Sequence, residues 1–139
     1  MKNPYYMIWS DAFCRFNRHH PKDKSWVKKV FQMLTFINAI NFATIIIWLR
    51  ILNIWIPPNF VFNIFPGTLL DKFFTFCIVF WLPFIIVNYI FIIQKQKYNQ
   101  IIEKYGEATR NYSFIYCASS AIVGFATIMT YGFLDNFGF

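Results

Sequence analysis

The sequence predicts an all-α integral membrane protein: three transmembrane helices, an N-terminal interfacial amphipathic helix, a cytoplasmic N-terminus and an outer C-terminus. Composition is the first reason. Of 139 residues, 58% are hydrophobic and 23% aromatic, and only 14% are charged, where soluble domains carry about a quarter. The second is length. Runs 30–49, 73–93 and 114–134 contain no Asp, Glu, Lys, Arg or His, and each has the roughly 20 residues that cross a ~30 Å hydrocarbon core. The third is charge placement. Eleven of the 13 Lys and Arg lie in segments 1–29 and 94–113, with only Arg50 and Lys72 in the segment between. The positive-inside rule puts the richer side in the cytoplasm, and the net charge of +7 then needs no nucleic acid to explain it.

Segment 1–29 is a basic tail. In PYYMIWSDAFCRFNR, Asp11, Arg15 and Arg18 recur at helical spacing while Tyr5, Trp9, Ala12, Phe13 and Phe16 take the other side. That is the pattern of a helix lying in the headgroup layer, with Trp9 and the tyrosines at the boundary. Pro21 ends it, and Trp26 with Lys28 and Lys29 marks the entrance of the first span. Arg15, Arg18, Lys22, Lys24, Lys28 and Lys29 are the candidate contacts to anionic headgroups.

Segment 50–72 is greasy but holds Pro57, Pro58, Pro66 and Gly67. A span in lipid does not tolerate that many broken backbone bonds, so this is an outer aromatic loop. The second span contains Pro83, which cannot donate to the Val79 carbonyl, so a bend near 79–83 is expected. Beyond it Tyr98, Ile101, Ile102 and Tyr105 keep helical spacing. The second helix is expected to run on into the cytoplasm as far as Gly106, within an amphipathic 94–113 connection. The chain reads as a single membrane domain. No cleavable signal peptide is expected, since the first apolar run begins at Val30 and no small-residue cleavage site follows.

The faces that want partners are polar or small. On the third span Ser113, Cys117, Ser120, Gly124, Thr127 and Tyr131 fall in a sector about 80° wide, the small-residue arrangement that lets helix backbones approach. Ser119, Ala126 and Thr130 form a second strip, while Phe114, Ile115, Ile122, Phe125, Met129 and Phe133 suit lipid. On the first span Ala39 and Ala43 share one side, and Asn38 and Asn41 point well away from it. On the second, Cys77, Trp81 and Asn88 share an inward face. Hydrogen bonding between helices is the reading adopted for Asn38 and Asn41; satisfaction of backbone carbonyls within this chain and the lining of a wet path are the alternatives. Sticky faces set this far apart ask for more neighbours than one copy supplies.

Catalytic signatures are weak. His19 and His20 beside Asp11, Cys14 and Asp23 lack zinc-type ligand spacing. Arg15 and His20 match the loose Arg-x4-6-His pattern of HEPN ribonucleases, with nothing else of that soluble domain around them. Cys14, Cys77 and Cys117 are scattered. There is no phosphate loop or nucleophile elbow, and the spans carry none of the deep charges that pumps and ion-coupled transporters use. The expectation is therefore no enzyme, no metal and no cofactor.

An aromatic PYYMIW start, a first span rich in Asn and Ile, and KYNQIIEKY after the second span resemble small uncharacterised three-span inner-membrane proteins of bacteria. That resemblance implies an accessory, immunity-type or defence-associated subunit. The expected function is thus a non-enzymatic inner-membrane interaction protein acting through helix–helix contacts, its partners being anionic lipid and copies of itself or another membrane protein. The alternative is a homo-oligomeric channel or pore-forming effector.

Overall fold

The computed structural model describes residues 3–22, 25–54, 69–106 and 111–137. Most of the expected outer loop and Lys24 lie outside them. The described residues are all-helical, with no strand, and three helices are long and apolar enough to cross a membrane.

Helix α1 (Pro4–His19) opens on Asn3, whose side chain accepts from Tyr5 N–H at 3.0 Å, with Pro4 in the first turn. Both choices suit a helix start: the carboxamide satisfies an orphan donor, and proline lacks a donor that would be orphaned anyway. Helix α2 (Trp26–Ile51) contains the first span. It ends at Asn53, which takes φ 54°, while Ile54 N–H bonds Leu49 O and Asn53 N–H bonds Arg50 O, each at 3.0 Å. This is a Schellman closure with asparagine in the left-handed position where glycine is commonest.

The second span is segmented into α3 (Leu69–Phe76), a π turn (Cys77–Trp81), α4 (Leu82–Asn88) and a second π turn (Tyr89–Ile93). Next to Pro83, where a bend is expected, the structure has the first π turn, in which Leu82 N–H reaches back five residues to Cys77 O. An extra residue in the turn re-registers the ladder where proline has removed a donor.

The expected unbroken run to Gly106 does not form. Lys95 (φ 57°) and Gln96 (φ 54°) adopt the left-handed conformation and break the helix with a kink. Helix α5 (Lys97–Tyr105) then folds back against α1, burying Ile101 and Tyr105. A left-handed non-glycine residue costs about 1–2 kcal/mol. Burying a large apolar side chain contributes about 1.5–3 kcal/mol, so two buried residues offset two strained ones. Helix α6 (Tyr112–Phe137) contains the third span.

α2 is the centre of the arrangement. It packs on α6 along one side and on α4 and the first π turn along the other, whereas α6 and the 69–93 helix make no close approach among the described residues. α2 and α6 run parallel, pairing Asn41 with Ser120, Trp48 with Thr127 and Arg50 with Tyr131. α1 runs antiparallel to α2, with Phe13 against Trp26, Trp9 against Phe31 and Tyr5 near Asn38. It therefore covers 26–38 of α2, 12 steps or about 18 Å at 1.5 Å per residue.

This docking changes the reading of the tail. Trp9 (1% exposed) and Phe13 (0%) are core residues rather than boundary residues. With Ala12, Val30, Leu34, Ile92, Ile101 and Tyr105 they form an aromatic core at one end of the bundle. The further neighbour that the sticky span faces ask for is this fourth helix of the same chain. Away from that core the helices face outward: Phe114, Ile115, Ile122, Phe125, Met129 and Phe133 are all exposed.

Candidate functional site

Seven side chains from four helical elements meet in one hydrogen-bonded chain. Thr35, Asn38 and Asn41 come from successive turns of α2, where a spacing of three keeps them on adjoining faces. Asn88 ends α4, Tyr116 and Ser120 lie one turn apart on α6, and Tyr5 arrives on α1.

Asn88, 1% exposed, donates from Nδ2 to Thr35 Oγ1 at 3.0 Å and accepts at Oδ1 from the Tyr5 hydroxyl at 2.5 Å. Asn38 Nδ2 donates to the Tyr5 hydroxyl oxygen at 3.5 Å, and Asn38 Oδ1 accepts from the Tyr116 hydroxyl at 2.6 Å. Asn41 Nδ2 donates to Tyr116 Oη at 2.8 Å and to Ser120 Oγ at 2.9 Å. Burial pushes the Tyr5 phenol above its ordinary value, so it stays protonated and remains a donor. The carboxamides thus bond between helices, and they do so within one chain. Every member is uncharged, which suits a low-dielectric setting where an unpaired polar group is costly.

The other predicted positions divide into two groups. Ala39 is fully buried and Ala43 half-buried in α2. On α6 the first small strip faces inward. Ser113 is bonded to Asp11, Ser120 to Asn41, and Thr127 accepts from Trp48 Nε1 at 2.9 Å. A Cβ added at Gly124 would stand 3.2 Å from Ile40 Cγ2 and 3.8 Å from Thr44 Oγ1, so this glycine marks the close approach of α2 and α6. Cys117 is half-buried beside the aromatic core. Cys77 and Trp81 sit in the first π turn, half-buried, with Trp81 packed edge-on to Phe36. These two do not join the asparagine network. The second strip faces out: Ser119 and Ala126 are exposed, and Ser119 and Thr130 donate to their own helix at Tyr116 O and Ala126 O.

The basic candidates separate too. Arg18, Lys22, Lys28 and Lys29 are exposed. Arg15 donates from Nη2 to Asn111 Oδ1 at 2.6 Å and stands 4.0 Å from Asp11. Asp11 belongs to no solvated face. It is 6% exposed, and its Oδ2 accepts from Ser113 N–H at 2.8 Å and Ser113 Oγ at 2.6 Å. A carboxylate from α1 therefore caps the N-terminus of α6, where orphan N–H groups and the positive end of the helix dipole favour an anion. Asp11, Cys14, Arg15, Arg18 and His19 border a recess of about 190 Å³. Among the described residues no group of three His, Cys, Asp or Glu is placed to hold a metal ion.

Sequence reasoning missed Tyr5, Thr35, Tyr116 and Asp11. The Thr35–Asn38–Asn41 spacing and the single turn between Tyr116 and Ser120 were readable signals. Nothing local marks Tyr5 or Asp11, whose partners lie 33 to 102 positions away. Comparison with known proteins finds no family model, no curated protein and no solved structure that matches this chain.

Proposed function

We propose that the chain is a non-enzymatic interaction protein of the bacterial inner membrane, with a cytoplasmic N-terminus, acting as an accessory or immunity-type subunit through helix–helix contacts. The threading rests on the eleven-to-two charge split, which follows the positive-inside rule. The observation that carries the interaction reading is the outward strip of α6. Ser119 and Ala126 are small and exposed, and Thr130 lies further along the same helix. Ser119 and Thr130 already donate to backbone carbonyls, so another helix can approach without leaving a hydroxyl unpaired. Phe125 and Met129, both exposed, flank the strip with apolar surface. In lipid, association depends on such close van der Waals contact rather than on hydrophobic burial. The partner is a further copy of the chain or another membrane protein.

The test is native mass spectrometry of the detergent-solubilised particle, comparing the wild type with Ala126→Trp and Ser119→Leu. A defined assembly in the wild type, lost in both variants while membrane insertion and thermal stability hold, supports the reading. A wild-type monomer without a protein partner, or an assembly that both variants keep, overturns it.

A further inference from the structure

α2 separates α6 from the 69–93 helix, and the gap between them is only partly closed by the N-terminal end of α1. What remains is a cavity of about 540 Å³, within the roughly 300–1,000 Å³ of small-molecule sites. Its floor is the asparagine–tyrosine network, with Asn38, Asn41, Asn88 and Tyr116. Its walls are Phe42 and Ile45 on α2 and Phe84, Val87 and Phe91 on the facing helix. Ile45 is 55% exposed and Val87 46%, so the cavity opens sideways along surface that suits lipid. Asn3, Tyr5 and Tyr6 bound it at the α1 end.

The network leaves unused capacity there. Both described bonds of Asn41 use Nδ2, and no described residue donates to its Oδ1. The Tyr6 hydroxyl likewise bonds no described residue. One acceptor and one donor thus belong to residues lining a cavity that is otherwise aromatic and aliphatic. No Lys, Arg, His, Asp or Glu lines it, so a charged headgroup would be desolvated with no counter-charge, at high cost.

We propose that this cavity binds a neutral amphiphile from the bilayer, its uncharged head donating a hydroxyl to Asn41 and accepting from Tyr6, its apolar tail leaving between Ile45 and Val87. A diacylglycerol and a quinol share that chemistry. The site stands apart from the outward strip of α6, so it holds whether or not the chain assembles.

The test adds dioctanoylglycerol, a decyl quinol or dioctanoyl phosphatidylglycerol, one at a time, to delipidated protein and reads retained ligand by native mass spectrometry. Val87→Trp and Ile45→Trp fill the cavity from its exposed walls without touching a hydrogen bond, and Tyr6→Phe removes only the hydroxyl. Retention of at least one neutral ligand is expected, tenfold or more above the phosphatidylglycerol. It should fall at least tenfold in both tryptophan variants and several-fold in Tyr6→Phe, with thermal stability unchanged. Which neutral ligand is held more tightly identifies the source. No retention of either, equal retention of the anionic lipid, or retention unaffected by both tryptophan variants would overturn the proposal.

Discussion

Replacing Asp11 by alanine tests whether the N-terminal helix is a structural member of the bundle. Asp11 Oδ2 receives two bonds from Ser113, at 2.8 and 2.6 Å, in a site only 6% exposed. Losing an N-cap acceptor costs about 0.5–2 kcal/mol. Losing a partly buried charge from a helix end costs about 0.3–2 kcal/mol more. The ion pair with Arg15 adds little, because its distance is 4.0 Å and the Arg15 side chain is 40% exposed. The two main effects share one contact and do not fully add, so a loss of about 1–3 kcal/mol is expected. Asp11→Asn keeps an acceptor but not the charge and should recover about half of it. The assay is reversible unfolding in mixed micelles followed by circular dichroism, with protease accessibility of residues 4–19 read in parallel. A loss below about 0.5 kcal/mol, with no gain in accessibility, would refute the argument. It would mean that α1 lies free of α6, as a helix merely resting among headgroups.

Four further outcomes follow from the same packing. Gly124→Ala should be tolerated by a small shift of Ile40, while Gly124→Leu overpacks the α2–α6 contact and should cost about 1–3 kcal/mol in the same unfolding assay. Asn88→Leu removes the bonds to Tyr5 and Thr35. At about 0.6–1.7 kcal/mol for each interhelical bond in a membrane the loss should be about 1–3 kcal/mol, and Tyr5→Phe should show part of it. Lys95→Gly and Gln96→Gly should each stabilise the protein, since both sites hold positive φ that glycine adopts freely; Gln96→Val should destabilise it. Purified protein in a planar bilayer should pass no current, because Asn38 and Asn41 are bonded inside the chain. A conductance changed by Asn41→Leu would favour the channel alternative.

Much of the architecture was legible because membrane physics is written in composition. A helix that crosses hydrocarbon must be long and uncharged, and 30–49, 73–93 and 114–134 are each both. The helical spacing of Tyr98, Ile101, Ile102 and Tyr105 was legible, and Ile101 and Tyr105 lie in the core. Direction was another matter. Periodicity reports which side of a helix is apolar, not which way the helix points, so the kink at Lys95–Gln96 left no trace in it. Neither residue is a glycine, and nothing in the local sequence announces a left-handed pair.

The asparagines divide the same way. By itself the sequence determined that Asn38, Asn41 and Asn88 sit in apolar stretches and must find partners, because an unpaired carboxamide in hydrocarbon is costly. Only the tertiary structure decided who those partners are. Tyr5 looked like a boundary residue and Asp11 like the polar edge of a surface helix, and they became a link in the network and the cap of α6. The reason is that hydrogen bonds are short-ranged and indifferent to sequence separation. A donor is identified by arriving within about 3 Å, and that arrival is set by how α1 packs, which no residue encodes alone.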